Sequence, residues 1–530
     1  MGRTWLLSVV TLALVVSCDD QEMTDAGMDG GGVDGGATDA GPEPLALEGL
    51  DGHVEVIIDE RGMPHIYATT VHDLMFVEGY MMSRDRFVQM EFLRRNVVGR
   101  LAEVVGVVAP SIVETDRDQR FFGFERAGQA IYDSLAPDDE SRRVVEAFVQ
   151  GINLYIDTVV LADDYQPPPG LEVFHIIRTS PNFGHWHPRD IFALARFQAW
   201  NLSYDAGADI ARTEALLGVR GAFSPTDGND RIAARAGIYA DFFSEVPARR
   251  VYTRDDGFND GTTSAFLPPI TRPRLPGMLE HFHGAAASPA SLHGGTAFFD
   301  RLQQNPYMAR DEHVGSNSWV VDGDHTASGN PILSNDPHLS LISPGVWYYV
   351  HLNTEMMGGE NDIDAQGVAF AGLPGVVLGY TRNVAWSATT TGYDVTDVYA
   401  EEVTFRNDGD ATTPDWVPIS VRFDAADVLL ETISEEILVS SGAPITQVFY
   451  DVPHHGPFIP DSIVLPRMVD PPTGAMATGS AMSVRYTGNE VSNELAFFVG
   501  LGRRSEIFGH ASECHRSNRV NSDSVAGKLK

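Results

Sequence analysis

The sequence predicts an α+β layered protein with a helical first half and a strand-rich second half. In the first half, apolar residues recur at helical spacing in "DLMFVEGYMMSRDRFVQMEFLRRNVVGRLAEVVG", "SRRVVEAFVQGINLYIDTV" and "PRDIFALARFQAWNLSYDAGADIARTEALLG". In the second half, short apolar runs such as "GVWYYVHL", "GVAFAG" and "AMSVRYTG" are separated by turns that contain Gly, Pro or Asn. Because no helical segment lies between these strands, they indicate segregated layers rather than alternating β-α-β units.

Length and charge bound the classes of function. The chain has 530 residues, which is too long for one compact core and predicts two or three folding units or one large layered domain. Its formal net charge is -36, from 37 basic and 73 acidic residues. This surplus argues against a nucleic-acid partner, because nothing could neutralise a phosphate backbone broadly. It suits a soluble extracytoplasmic surface or one that binds divalent cations.

Residues 1–17 have the pattern of a signal peptide. A basic residue precedes the apolar run "WLLSVVTLALVVS", which is far shorter than the roughly 20 residues that span a bilayer. The run ends in a sequence that resembles the lipobox of bacterial lipoproteins, so Cys18 is predicted to become the first mature residue and to carry lipid. The alternative is ordinary cleavage nearby, with an incidental cysteine. Because Cys514 is the only other cysteine, no internal disulfide is expected.

Three segments precede the strand-rich half. Residues 18–44 are rich in Gly, Asp and Ala and cannot bury enough apolar surface to fold, so they are predicted to tether a membrane-anchored lipoprotein on the periplasmic or cell-surface face. Residues 45–252 hold the helical segments. Residues 253–315 are rich in Pro, Gly, Thr, Ala and His without sustained periodicity. Since structureless loops beyond about 15 residues are uncommon in compact domains, this segment is predicted to be a removable spacer.

The step Gly315-Ser316-Asn317 opens the strand-rich half, directly before the apolar, β-branched run "SWVV". One interpretation is a turn, in which Gly relieves backbone strain and Ser and Asn bond their own backbone. The other is chemical. A serine whose preceding peptide bond is cut becomes an N-terminal residue that carries both a nucleophile and its own amine base. The residues alone leave both interpretations open.

A set of motifs, in order and at suitable spacing, resembles the penicillin acylase family of N-terminal-nucleophile hydrolases. The resemblance runs from about Val54 to about Phe508. The first half contributes "IIDERGMPHIYA", "EGYMMSRDRFVQMEFLRR" and "GRLAEVVG". The second half contributes "GSNSWVV", "SGNPILSNDPHL", "AGLPGVVLGYTRNVAWSATT", "DVTDVY" and "HHGPF". The family implies a layered αββα sandwich for this chain.

The resemblance implies a self-processing amidase. The precursor would cut itself between Gly315 and Ser316, lose the spacer and become an α/β heterodimer whose second chain begins with the nucleophile Ser316. The freed α-amine has an ordinary pKa of about 7.7 to 8.0, so near neutral pH it can accept the hydroxyl proton. The substrate would be a small N-acyl amide of the penicillin or cephalosporin type, with an acyl-homoserine lactone as the alternative.

The family also implies two supporting groups. His338, in "NDPHL", takes the place of a residue that orients the nucleophile or its amine, the alternative being a turn histidine bonded to backbone. The backbone amide of Thr390, in "AWSATTTGYD", takes the place of one oxyanion donor. The second donor in relatives is an Asn side chain in a segment that has no counterpart here.

A calcium site is the one cofactor that the resemblance implies; no organic cofactor is expected. Asp394 and Asp397, with the carbonyl of Thr396 between them, match ligands in the family, and Asp209 falls at the place of a ligating Glu. Calcium takes six to eight oxygen ligands, so these residues are only part of a shell. Solvated surface carboxylates are the alternative in so acidic a chain.

Three further residues fall near acyl-pocket positions of the family. They are Ala199, Ser203 and Leu339. Because they are smaller than common counterparts there, they predict a roomier pocket than a phenylacetyl site.

The resemblance ends early. Residues 316–530 form a much shorter second chain than relatives carry, and "GHASECHRSNRVNSDSVAGKLK" after Phe508 matches nothing expected. The sequence therefore predicts a β-chain truncated by a frameshift or premature stop. A catalytically inactive lipoprotein or pseudoenzyme is the runner-up function.

Overall fold

The computed structural model describes residues 47–106, 111–169, 171–172, 174–203, 206–211, 213–214, 288–304, 315–339, 343–359, 363–390, 395–440 and 442–492. The predicted signal peptide, the predicted lipidation site Cys18, the predicted tether, most of the predicted spacer, Asp394 and Cys514 lie outside these ranges.

The first half is helical and the second half is built of strands, so the predicted α+β class is confirmed. The main helices are α1 (Val71–Val97), α2 (Ala102–Val105), α3 (Ile112–Phe122), α4 (Phe124–Ser134), α5 (Glu140–Tyr155), α6 (Phe174–Arg178), α7 (Pro188–Asn201) and α8 (Pro289–Gln304). The strands are β1 (Glu55–Ile58), β2 (Pro64–Tyr67), β3 (Gly315–Val321), β4 (Ile332–His338), β5 (Trp347–Asn353), β6 (Asp364–Phe370), β7 (Leu378–Tyr380), β8 (Ala385–Trp386), β9 (Thr396–Asn407), β10 (Trp416–Phe423), β11 (Ala426–Leu429), β12 (Glu431–Ile437), β13 (Ile445–Val452), β14 (Gly456–Pro457) and β15 (Met476–Tyr486). Within the described ranges, none of the helices is both long enough and apolar enough to cross a membrane.

Helix α1 is the centre of the helical layer. Thr70 caps its N-terminus: the Thr70 hydroxyl accepts the backbone N–H of Asp73 at 3.0 Å and so satisfies one of the free donors of the first turn. Two glycines allow the backbone of α1 to pack directly against the backbone of α5. A Cβ at Gly79 would be 2.1 Å from the carbonyl oxygen of Phe148, and a Cβ at Gly151 would be 1.9 Å from that of Phe76. The two backbones therefore touch where any side chain would force them apart.

A buried network of ion pairs lies at the C-terminal end of α1. Glu91 accepts from Arg94 Nη2 at 2.8 Å and from Arg95 Nε at 2.7 Å, and all three side chains are almost fully buried. Burial alone would raise the pKa of Glu91, but the two guanidinium groups more than offset this and lower it below its ordinary value. Arg94 also contacts Asp190 of α7, and Trp186 Nε1 donates to Glu91 at 3.0 Å, so the network joins α1 to the segment that leads into α7.

The strands form four sheets in the described part of the chain. A six-stranded sheet has the order β1-β2-β5-β6-β7-β8, a four-stranded sheet β11-β10-β9-β15, a three-stranded sheet β12-β13-β14, and β3 pairs only with β4. In the largest sheet, β2 of the first half pairs in parallel with β5 of the second half, which places His65 beside His351. The two halves of the chain therefore share one sheet.

Helix α8 lies inside the predicted spacer, a segment for which the sequence predicted no sustained periodicity. Its apolar residues Leu292, Phe298, Phe299 and Leu302 are buried in the main core. Their spacing is helical, but Gly294 and its neighbour Gly295 weaken the local preference for helix. Tertiary packing requires a glycine here, because a Cβ at Gly294 would be 1.9 Å from the carbonyl oxygen of Asp461.

Candidate active site

The candidate site is built on the hairpin of β3 and β4, which we call the Ser316 hairpin (residues 315–338). The strands run antiparallel, with Gly315 opposite His338 and Ser318 opposite Asn335. A turn between them contains Gly329 at a positive φ of 73°, a conformation that glycine adopts without strain. The Gly-Ser-Asn step therefore lies within strand β3, and the interpretation of this step as a turn is wrong.

The hydroxyl of Ser316 lies beside the peptide bond that is predicted to be cut. Its Oγ donates to the carbonyl oxygen of Gly315 at 2.6 Å. The carbon that this hydroxyl would attack is the one bonded to that oxygen. The half-buried position of both residues at the end of a strand leaves this bond accessible to water.

The segment 387–390, which carries the predicted oxyanion donor, is held against the Ser316 hairpin by side chains. Ser318 Oγ lies 2.7 Å from Ser387 Oγ. Asn335 Nδ2 donates to the carbonyl of Ala388 at 3.1 Å and also to the carbonyl of Asn317, within β3, at 2.9 Å. Ser318, Asn335 and Ser387 are not among the site residues predicted from the sequence. Only the register of β3 against β4, which the sequence does not specify, places Ser318 and Asn335 side by side.

Thr390 lies at the end of that segment. Among the described residues, its backbone N–H has no protein acceptor. Its assignment as an oxyanion donor stays a prediction, because no described contact joins it to Ser316.

His338 is on the hairpin but is turned toward a carboxylate. Its Nε2 lies 2.7 Å from Asp336 Oδ2 and 3.4 Å from Asn317 Nδ2. The hydrogen bond with His338 lowers the pKa of Asp336 below its ordinary value. Within the described residues, no hydrogen bond links His338 to Ser316, so its role in orienting the nucleophile stays a prediction. The alternative of a turn histidine bonded to backbone differs from what is seen, since the partner is a side chain.

Comparison with known proteins decides the family. The family model described as "Penicillin amidase" matches residues 53–507. The chain belongs to the penicillin amidase family. Its α+β architecture is thereby that of the N-terminal-nucleophile hydrolases, as the sequence motifs predicted.

Three curated relatives show how far the likeness extends. Acyl-homoserine lactone acylase QuiP of Pseudomonas aeruginosa is 26% identical over 469 residues, which cover 87% of this chain and 46% of that protein. Penicillin G acylase of Escherichia coli is 25% identical, covering 69% of this chain and 42% of the relative. Penicillin acylase 2 proenzyme of Pseudomonas sp. SE83 is 26% identical, and the match covers 69% of this chain and 39% of that protein. The chain thus spans less than half the length of these relatives.

The calcium ligands implied by this penicillin amidase resemblance are only partly placed. The side chain of Asp397 is exposed, 3.5 Å from the Tyr399 hydroxyl. Thr396 is buried, with its side-chain oxygen unpartnered among the described residues. The described ranges contain one group of three potential metal ligands, Asp51, His72 and Asp73, which includes neither Asp397 nor Asp209. Because Asp394 lies outside the described residues, the calcium site stays a prediction.

The described contacts do not bring the three predicted pocket residues together. Ala199 is exposed on α7, and Ser203, just after that helix, donates its hydroxyl to the carbonyl of Trp200 at 2.7 Å. Leu339 is half-buried next to His338. No described contact brings Leu339 to Ala199 or Ser203, so the roomier pocket also stays a prediction.

Proposed function

We propose that this chain is a self-processing amidase that hydrolyses an N-acyl amide through an acyl-serine on Ser316. The single observation that carries the proposal is the Ser316 hydroxyl, 2.6 Å from the carbonyl oxygen of Gly315 at the start of β3. Membership of the penicillin amidase family supports the reaction class.

Self-cleavage requires no group from outside the chain except water. The Ser316 oxygen attacks the carbonyl carbon of Gly315, the C–N bond breaks, and the hydroxyl proton passes to the departing nitrogen. An ester between Gly315 and Ser316 results. Water then hydrolyses it, which leaves a carboxylate on Gly315 and a free α-amine on Ser316.

In turnover, the freed α-amine is the general base. With an ordinary pKa of about 7.7 to 8.0, it accepts the hydroxyl proton as Ser316 attacks the substrate carbonyl. The backbone N–H of Thr390 would donate to the oxyanion that develops on that carbonyl. The amine product leaves with a proton, and water cleaves the acyl-serine.

The mature first chain should retain helix α8, so that the removable spacer is shorter than residues 253–315. Phe298 and Leu302 of the helix are buried in the core. Arg301 pairs with the buried Asp118 of α3 at 2.9 Å and also with Asp461. Burial raises the pKa of Asp118, and Arg301 opposes that rise. Removing the helix would therefore expose the core and leave the buried carboxyl group of Asp118 without its cationic partner.

Intact mass spectrometry of the purified protein tests the proposal. We expect two chains, the second beginning at Ser316 and the first still containing residues 289–304. Ser316→Ala should remain one chain, whereas Ser328→Ala, in the turn of the same hairpin, should be cut like the wild type. A folded wild type that stays in one piece would instead support an inactive lipoprotein.

A long-chain N-acyl homoserine lactone is the second candidate substrate. The relative that this chain covers most fully among the three is named an acyl-homoserine lactone acylase. Ala199, Ser203 and Leu339 are smaller than common counterparts at these positions of the family, which favours a long acyl group over phenylacetyl. The kcat/KM for long-chain N-acyl homoserine lactones, compared with that for penicillin G, distinguishes the two candidate substrates. A higher kcat/KM for penicillin G, which carries a phenylacetyl group, would contradict the roomier pocket.

Lipid attachment at Cys18 and calcium binding by Asp209, Asp394, Thr396 and Asp397 belong to the same proposal. The sequence pattern supports both. A Cys18→Ser protein released from the membrane fraction would support the anchor. A calcium content that survives dialysis and falls in Asp397→Asn would support the metal.

A further inference from the structure

One side chain, Asn335, connects the strand that carries Ser316 to the segment that carries Thr390. Its Nδ2 donates to the carbonyls of Asn317 and Ala388 at 2.9 and 3.1 Å. Its Oδ1 accepts the backbone N–H of Ala388 at 3.4 Å. A carboxamide is suited to this position, because it offers donors and an acceptor in one rigid plane and can pair with both groups of a single residue's backbone.

Few other contacts hold the Ser316 hairpin against segment 387–390. Every residue of β3 and β4 is exposed or half-buried, and Trp319, Val320 and Ile332 are 54%, 71% and 54% exposed. Apolar packing therefore does not fix the hairpin against segment 387–390 in the described part of the chain. Polar contacts do so, through Asn335 and through the bond between Ser318 and Ser387.

We propose that Asn335 is a positioning residue for acyl transfer: by binding both backbone groups of Ala388, it sets the Thr390 amide relative to Ser316. This inference rests on the proposed function. An oxyanion donor is effective only when it is held in place before the reaction, and removing one donor costs about 10²- to 10³-fold in turnover. A displacement of about 1 Å can cost about 10²-fold. Asn335 acts through the backbone and does not itself touch the substrate.

The kinetic test is Asn335→Ala beside Asn330→Ala. Asn330 is on the same hairpin, and its side chain makes no hydrogen bond within the described residues. In Asn335→Ala, kcat for an acyl amide should fall by about 10- to 100-fold while KM changes less than about 3-fold, because donor placement matters most in the transition state. Asn330→Ala should match the wild type. Asn335→Asp, which keeps the shape but loses both donated bonds, should resemble Asn335→Ala.

Hydrogen exchange gives a measurement that needs no activity. Peptides covering residues 386–390 should exchange faster in Asn335→Ala than in the wild type and Asn330→Ala, at an unchanged Tm. Equal kcat and equal exchange in the two variants would overturn the inference. If the wild type does not cut itself at Ser316, the proposed function is overturned instead. If, in addition, the uncut wild type and uncut Asn335→Ala exchange equally over residues 386–390, the positioning role of Asn335 is overturned as well.

Discussion

The helical layer and the Ser316 hairpin are held in place by opposite means. Around α1 the chain buries long apolar side chains and even an ion network, in which Glu91 is fully enclosed with Arg94 and Arg95. The hairpin leaves large apolar side chains such as Trp319 in solvent and reaches its neighbour through hydrogen bonds. The difference teaches that stability and site geometry are separable in this molecule. Substitutions in the helical layer should affect folding, and those at the hairpin's polar contacts should affect chemistry.

The largest expected effect is on the buried ion network. Glu91→Ala removes the carboxylate that two buried guanidinium groups share, so the free energy of unfolding should fall by about 3 to 5 kcal/mol. Each guanidinium then keeps one other carboxylate, Asp190 for Arg94 and Glu103 for Arg95. Glu114→Ala is the control, because Glu114 pairs with Arg117 at 3.2 Å on the surface, where ion pairs contribute about 0 to 1 kcal/mol. Urea unfolding followed by circular dichroism measures both. Similar losses in the two variants would show that the helical layer does not depend on its buried charges.

The second effect is a pH dependence that arises from Glu78 of α1. Burial raises the pKa of Glu78 to about 8, although the backbone N–H of Gly375, 3.0 Å from both carboxyl oxygens, opposes the rise. Between its ordinary value of 4.5 and about 8, the unfolded chain releases this proton while the folded chain keeps it. The folded state therefore binds more protons in that window, and its stability should fall as pH rises.

Glu78→Gln removes the titrating group and should flatten this part of the profile. The Tm of the variant minus that of the wild type should increase from pH 5 to pH 8. Glu60→Gln, which removes an exposed carboxylate, is the control for the loss of one negative charge. A Glu78→Gln difference that does not change with pH would show that Glu78 ionises normally in the folded protein.

The smallest effect is expected on the hairpin. Trp319→Ala should change the free energy of unfolding by about 0.5 kcal/mol or less, because half of this side chain is already in solvent. The matched control is Trp186→Ala, a buried tryptophan in the helical layer, for which about 3 to 5 kcal/mol is expected. Equal losses for the two tryptophans in thermal unfolding would erase the distinction between the two regions.

The sequence predicted most of the architecture but only part of the candidate site. Helix α1 and the strand residues that follow Asn317 follow from local periodicity, and both are observed. The turn predicted at Gly315-Ser316-Asn317 is replaced by the first residues of β3. Helix α8 was not predicted, because Gly294, which packs on Asp461, and its neighbour Gly295 weaken the helical pattern. The orientation of His338 toward Asp336 was also not predictable, since it depends on which side chains the strand register brings together.

The sequence by itself determined the class of the fold, the position of the Gly-Ser step and the likeness to the penicillin amidase family. Each is recorded in residues that are neighbours in the chain or that recur at a fixed period. Only the tertiary structure decided that Asn335 bonds Ala388, that Ser318 meets Ser387 and that α8 enters the core. The physical reason is that periodicity specifies which face of an element is buried. It does not specify which distant residue that face will meet.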